Sequence, residues 1–517
     1  MKFSGIFLLL ICQLAARGQS GVTLTTLHSF SGSDGGNPAG GLVWGGDGNL
    51  YGTTSANDFA NTNYGTVFMI APDGAFTNLH VFAGSTDGAW PQAGLVQGAD
   101  GNLYGTTYSR GANGWGTVFV IGSSGDFSTL VSFESESIPG APTSVLVQGH
   151  DGSFYSMADL GGAFGLGTLF RVTPGGAVSV LISFDGASGF TGWDADALLQ
   201  SADGNFYGAT QLGGAAFENE FLNPGSGTVF KLTAEGTLTT LLSFSGKNGS
   251  APTALVQGID GNFYGTTFHG GSNYNPAVGS YGYGTVFKLA TNGTLTTLAS
   301  FNRTNGSSPN SLMQARDGNF YGATYDGGNK GYGTVFQVTP DGALASLVSF
   351  SRTNSANPYY GPLAQGGDGN FYGTTFHGGA SNLGTVFRLS ITPPQLSIIP
   401  AGANVILTWL TNATGFTLQS TTNVVAPAVW TNVSPGPTII DGQNAVTNLI
   451  SGTQQFYRLA TNVRNPTFTP VVADLDGPAQ RPIQFHSAQP ERQRGGDSSL
   501  HESCYLDRAS HTDECDW

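Results

Sequence analysis

Cysteine is almost missing from this chain. Of 517 residues only Cys12, Cys504 and Cys515 carry a thiol. No disulfide can therefore form within the long stretch between Cys12 and Cys504, and any folded body there must be held by core burial alone. Charge is sparse as well, at 10% of residues, and 33 acidic side chains outnumber 18 basic ones. The formal charge of −15 leaves no basic footprint for phosphate, which argues against nucleic acid as a partner. Long apolar runs are lacking: Ile6 to Ile11 is too short to span a bilayer, and no later segment is expected to cross one. There is no Gly-x-Ser-x-Gly elbow, no phosphate loop and no dinucleotide fingerprint leading into a helix, so no cofactor is expected.

What the chain does have is glycine and aromatic residues: 79 glycines, with Phe, Trp and Tyr at 11%. That profile fits an all-β protein with many tight turns. The phrase Asp-Gly-Asn-Phe-Tyr-Gly-Thr-Thr (260–267) has counterparts starting at Asp47, Asp100, Asp151, Asp203, Asp317 and Asp368. A second phrase, Gly-Thr-Val-Phe (Gly-Thr-Leu-Phe in the third copy), follows each of them, starting at Gly65, Gly116, Gly167, Gly227, Gly284, Gly333 and Gly384. Seven copies at intervals of 51 to 57 residues must be read before any local feature, because a repeat of this length builds one body rather than several domains.

Each copy parses into four short strands. In the fifth, Ala254 to Gln257 is followed by an Asp-Gly turn, Asn262 to Thr267 by a long loop, Gly284 to Leu289 by an Asn-Gly turn, and Thr294 to Phe301 closes the unit. Apolar side chains fall on both faces, as with Val286 and Phe287, which suits sheets packed between neighbouring sheets. Seven four-stranded units predict a seven-bladed β-propeller over residues 22–391. The fourth-strand phrase ends at Phe82, Phe133, Phe184, Phe244, Phe301 and Phe350 in copies one to six and is missing after the seventh. An orphan version, Thr23 to Phe30, precedes the first copy. The N-terminal strand is therefore expected to complete the last blade and close the ring, hiding two sheet edges.

These phrases resemble the Gloeo-Verruco (GloVer) tandem repeat of exported bacterial proteins, over roughly residues 23 to 390. The resemblance implies no established activity. Copy three departs from the pattern, reading Asp-Gly-Ser-Phe-Tyr-Ser-Met-Ala (151–158), and a normal blade with altered loop chemistry is expected there. The resemblance also implies a C-terminal surface-sorting segment, from which the polar stretch after Arg464 departs.

Residues 1–18 read as a secretory signal, with Lys2, the Ile6 to Ile11 core and a cleavage site at Ala16-Arg17-Gly18. Residues 394–463 resemble a fibronectin type III-like β-sandwich, with strands at Val405 to Trp409, Gly415 to Ser420, Ala428 to Asn432 and Gln455 to Leu459. Trp409 and Tyr457 are its candidate core aromatics. Residues 464–517 have a disordered composition.

Antiparallel succession puts the short Asp-Gly turns on one face and the long, variable loops on the other. A rigid scaffold with variable loops is a common way to build a binding surface. On the loop-rich side lie Trp90, Tyr108, Trp115, Trp193, Tyr274, Tyr325 and Phe376, which could stack on sugar rings or simply cap the blade ends. His269 and His377 take equivalent places, with Asp326 in the sixth copy; two imidazoles and a carboxylate could hold a metal, but the other copies break the pattern and no metal is expected. The repeated Asp of Asp-Gly-Asn reads as a hydrogen-bonded turn, since the ligand spacing of a calcium loop is lacking. Asp194 and Asp196 are the candidate carboxylates for glycoside chemistry, which needs a pair about 5–5.5 Å apart for retention or about 6.5–9.5 Å for inversion. The expectation is a secreted or cell-surface monomer that binds an extracellular glycan or protein. A polysaccharide-active hydrolase or lyase is the alternative.

Overall fold

The computed structural model describes residues 21–55, 64–134, 140–191, 197–219, 223–275, 278–359, 361–391, 396–401, 404–410, 416–422, 429–440, 443–449 and 455–461. The signal-peptide reading, the polar tail, Trp193, Asp194 and Asp196 lie outside these residues. Within them the fold is all-β, with seven sheets built from the seven copies, each antiparallel.

The fifth copy shows the pattern. Ser250–Gln257, Phe263–His269, Thr285–Leu289 and Leu295–Ser300 pair in that order. The first strand is longer than the sequence suggested, because Ser250 and Pro252 pair with His269 and Thr267 ahead of a bulge. Chemistry repeated in every copy, except that Ser153 replaces the asparagine in the third, makes the turn after it. Asp260 Oδ1 accepts from the Asn262 backbone N–H, while Oδ2 accepts from Asn262 Nδ2 and the Tyr264 hydroxyl. Gly261 sits at φ 78° with open space around it, so backbone conformation rather than room requires glycine there. The repeated Asp is thus a turn clamp.

Both faces of the third strand are buried. Val286 packs with Phe320, Phe336 and Val338 of the sixth sheet, and Phe287 packs with Tyr207 and Val229 of the fourth. Burying a side chain of this size stabilises by about 1.5–3 kcal/mol, which explains how the sheets cohere without disulfides. Shared cores of this kind join every consecutive pair of sheets. Another joins the ends of the series: Phe30, Leu42, Leu50, Phe68 and Ile70 pack with Tyr372 and Val386.

The seventh sheet consists of Ala364–Gln365, Phe371–Thr375, Thr385–Ile391 and the N-terminal Val22–Ser29. The orphan strand copies its counterparts down to their irregularity. In the fifth copy the register skips Leu298, pairing Phe287 with Thr297 and Val286 with Ala299. In the seventh it skips Leu27, pairing Phe387 with Thr26 and Val386 with His28.

After residue 395 two further sheets appear, one of four strands and one of three. They share a core of Leu396, Ile398, Val405, Leu407, Trp409, Leu418, Val446, Tyr457 and Leu459. Both expected aromatics belong to it. Ser397–Ala401, Thr438–Ile440 and Gln443–Leu449 are strands that the sequence reading missed, and Thr431–Asn432 is shorter than expected. Asn and Thr dominate Gln443–Leu449, so its apolar alternation is weak and pairing with Asn404–Leu410 recruits it instead.

Candidate functional site

The loop-rich end of the sheets is organised by a backbone stitch that recurs at each seam. Asn37, Trp90, Ala141, Ala251, Ser308 and Asn357 all have φ between 52° and 60°, and each precedes a proline. The N–H of each donates to the carbonyl just ahead of a Gly-Thr-Val-Phe or Gly-Thr-Leu-Phe phrase, as in Trp90 to Tyr64, Asn357 to Tyr332 and Asn37 to Leu383. Thr191 makes the corresponding bond to Leu166, without a following proline. The proline then packs over that phrase's glycine: a Cβ on Gly284 would lie 2.4 Å from Pro309 Cδ, and one on Gly384 would lie 2.6 Å from Pro38 Cδ. Sequence reading missed these residues, although the recurring proline after the fourth strand could have revealed them.

The carbonyl of the stitch residue receives the next sheet. Ser55, Tyr108 and Phe376 donate their N–H to Asn37, Trp90 and Asn357. These acceptors reach one structural position, the residue after the last Thr of the second strand, and the copies fill it with Ser55, Tyr108, Asp159, Gln211, Phe268, Tyr325 and Phe376. Ser55, Asp159 and Gln211 are buried; the four aromatics are half-buried. Asp159 accepts a 2.7 Å hydrogen bond from Thr143 Oγ1. Burial first, and then the Asp159 charge, push the Tyr108 phenol above its ordinary pKa. Sequence reading did not single out Asp159, which stands where other copies have Tyr or Phe.

One position further along, pairing supports the expected equivalence. Ser109, Leu160, Leu212, His269, Asp326 and His377 each pair with the residue before a stitch position. The Thr hydroxyl two residues earlier holds the carbonyls of His269, Asp326 and His377 at 2.8 to 2.9 Å. Burial lowers both imidazole pKa values; for His377 a backbone hydrogen bond to Asn382 opposes the shift and Arg352 adds to it. Asp326 is exposed, yet desolvation raises its carboxyl pKa, with Arg303 acting against the rise. Among the described residues no three His, Cys, Asp or Glu side chains gather as metal ligands would.

Of the expected aromatic residues, Tyr325 and Phe376 are brought together. Tyr359, a residue not anticipated, lies between them, with ring centroids 5.8 Å from Tyr325 and 5.0 Å from Phe376. His377 meets Phe376 edge-on at 4.8 Å. Asn357 ties the group by donating from Nδ2 to Tyr325 O and Asp326 Oδ1. Trp90 and Tyr108 share a backbone hydrogen bond, while Trp115 packs on the core between the second and third sheets. His269 lies against Phe268 and Tyr281, away from the Tyr359 group. Tyr274 covers Gly246, where a Cβ would fall 2.3 Å from its ring. Trp115 and Tyr274 therefore pack and cap, whereas Tyr325, Tyr359 and Phe376 form a continuous aromatic surface.

The Gloeobacter/Verrucomicrobia repeat model matches residues 15–222 and again 194–401. The chain belongs to this repeat family. No curated protein matches the sequence. Among solved structures, this Gloeobacter/Verrucomicrobia repeat protein is similar to a catalytically inactive virginiamycin B lyase from Staphylococcus aureus with quinupristin. That likeness has 14% identity and a TM-score of 0.49 and covers 71% of this chain and 99% of the lyase. It is also similar to the extracellular domain assigned to a hybrid two component system of B. thetaiotaomicron, at 11% identity and a TM-score of 0.46, covering 77% of this chain. The repeat protein spans 42% of that second chain. Neither likeness bears on ligand or chemistry.

Proposed function

We propose that the seven sheets close into a seven-bladed β-propeller whose last blade is completed by Val22–Ser29, and that the protein is exported and works as a binding or adhesion protein. Closure is supported by the core shared between the first and seventh sheets and by the Asn37 to Leu383 stitch, which repeats the bond made at the internal seams. On this reading residues 1–18 direct export, residues 394–463 form a fibronectin type III-like spacer, and residues 464–517 are a polar tail. No described helix is long and apolar enough to cross a membrane.

One observation carries the binding reading. At a position fixed by repeated backbone hydrogen bonds, four copies present half-buried phenols and phenyl rings, while Ser55, Asp159 and Gln211 are buried there. Capping alone would be served by the same apolar residue seven times. Half-buried aromatic faces, two of them carrying phenol hydroxyls, suit an extended extracellular glycan, whose sugars offer both apolar faces and hydroxyls; a protein surface is the other class of partner. All the groups come from one chain, so a monomer suffices.

The test is a glycan array probed with the full-length protein and with a Tyr325→Ala/Phe376→Ala variant of matched melting temperature. Binding should weaken about tenfold per ring removed, equivalent to roughly 1.4 kcal/mol each. Equal binding by both proteins would refute this placement of the site. Asp159 favours a second reading, catalysis on polysaccharide, because a buried carboxylate beside a phenol is a candidate acid. Asp194 and Asp196 would be its candidate partners. Shortening of a bound glycan, abolished in Asp159→Asn, would decide for that alternative.

A further inference from the structure

On the short-turn face, a basic residue opposite the clamping tyrosine meets the turn carboxylate in three copies, whereas Arg388, opposite Tyr372 in the seventh, donates to Pro72 O. Strand register places Arg171 opposite Tyr155, Lys231 opposite Tyr207 and Lys288 opposite Tyr264. Arg171 Nη2 lies 2.7 Å from Asp151, Lys231 Nζ lies 3.7 Å from Asp203, and Lys288 Nζ lies 2.8 Å from Asp260. The two ammonium groups also sit over the tyrosine rings, 5.6 Å and 5.3 Å from the centroids. In these copies the Asp–Tyr pair is a seat for a cation, and the same sheet fills it.

The first copy has the seat without the cation, as do the second and sixth, where Val120 and Gln337 stand opposite the tyrosine. Met69 stands opposite Tyr51, and among the described residues no basic side chain forms an ion pair with Asp47. The rest is in place: Asp47 Oδ2 accepts from Asn49 Nδ2 and the Tyr51 hydroxyl, both at 2.7 Å. Asp260 Oδ2 accepts from Asn262 and Tyr264 at 2.8 and 2.9 Å before its third bond, to Lys288. Beside Asp47 opens a cleft of about 240 Å³, also lined by Tyr51, Gln97 and Ser123. Gly46 borders the cleft, where a Cβ would meet only Gln97 Nε2, at 3.8 Å.

We propose that the cleft at Asp47 binds a primary ammonium group from outside the chain, in the seat that Lys288 Nζ fills in the fifth copy. The ammonium gives one N–H to Asp47 Oδ2 and lies over the Tyr51 ring. Gln97 and Ser123, which line the cleft, carry side-chain oxygens of the kind that accept from its other donors. Asp47 is exposed, so the attraction is screened by water and salt, and binding is weak and strongest at low ionic strength. A lysine side chain of a protein partner and an amino sugar both present this group. The cleft lies on the face opposite the loop-rich end, so the proposal stands or falls apart from the glycan reading above.

The chain has only four methionines, which makes methyl-labelled methionine a resolved reporter beside the seat. The full-length protein would be titrated at low salt with Nα-acetyl-lysine methylamide, with glucosamine, and with uncharged N-acetylglucosamine. The Met69 methyl signal should shift saturably with an amine and stay still with the neutral sugar, while Met157 and Met313 do not move. Response to only one amine identifies the source; response to both supports the shared chemistry. A still Met69 signal, or an equal response to N-acetylglucosamine, overturns the proposal. Met69→Lys supplies the ammonium from within and leaves the turn residues untouched. In ligand-observed measurements it should weaken amine binding at least about tenfold, while Val120→Lys in the second copy should not. Undiminished amine binding by Met69→Lys also overturns the proposal.

Discussion

A single carboxylate, repeated seven times, sets the turns at one end of every sheet. Asp47, Asp100 and Asp368 each accept from an Asn backbone N–H, the Asn side chain and a Tyr hydroxyl. Burial, then the partner carboxylate, pushes the phenols of Tyr51, Tyr104 and Tyr372 up to about 12 from 10.0. The neutral phenol is therefore favoured in the folded state. Its stabilisation is complete below the ordinary value and is lost as pH rises through about 12. The Asp partners shift down from 3.8: desolvation opposes the shift, but the Tyr and Asn hydrogen bonds together outweigh it. Their stabilisation is present above 3.8 and declines as pH falls below it. An ultraviolet phenolate titration should show a class of tyrosines that resists ionisation past pH 10.0 and titrates with unfolding near 12. If every tyrosine titrates at its ordinary pKa while the fold is retained, the clamp is not protecting them.

Between the second and third strands the recurring contact is a pair of threonines. Thr54 with Thr66, Thr107 with Thr117, Thr267 with Thr285 and Thr375 with Thr385 all meet at 2.8 Å, buried. Copy three breaks the series: Ala158 lies opposite Thr168, and the Thr168 hydroxyl is buried without a partner among the described residues. A hydrogen bond regained there contributes about 0.5–1.5 kcal/mol. Ala158→Thr should accordingly raise the melting temperature, and a lower one would mean that the neighbouring Thr191 leaves no room for the added atoms. The departure at 151–158 was visible in the sequence, but its sheet has five strands, since Gly140–Pro142 and Val147–Gln148 pair separately with Phe154–Leu160. That its cost would fall on a hydroxyl of the next strand was not visible, because the partner is chosen by register. The stitch residues were harder still. A residue before proline ordinarily avoids the conformations adopted here, so no local rule predicts φ near 55° at Ala141 or Ser308.

For the whole molecule, the question is what holds the two ends of a seven-sheet series together. Val22–Ser29 supplies the outer strand of the seventh sheet, and Phe30, fully buried, enters the core shared with the first. Losing one buried Phe side chain alone costs about 3–5 kcal/mol, and an unpaired sheet edge invites other chains. Deleting residues 21–31 should lower the melting temperature and promote oligomers, and a peptide of those residues added in trans should restore both. An unchanged, monomeric melting profile after the deletion would show that the strand is not needed to join the ends.

The sequence by itself determined the strand content, the seven-fold repetition, the Asp-Gly turns and the displaced strand, because each follows from short-range chemistry or from counting like phrases. It also placed the variable loops on one side, since strands that alternate in direction leave no other choice. Tertiary structure alone decided which of the candidate residues meet. Tyr359 joins Tyr325 to Phe376, Asp159 settles beside Tyr108, and Tyr274 is spent covering Gly246. The same holds for the seat at Asp47, which depends on Met69 lying across the strand pair and on the cleft that residues of the first two sheets line beside it. The physical reason is that backbone pattern is written locally, whereas a site is made by side chains from different sheets, and their meeting depends on register and on the angle at which sheets pack.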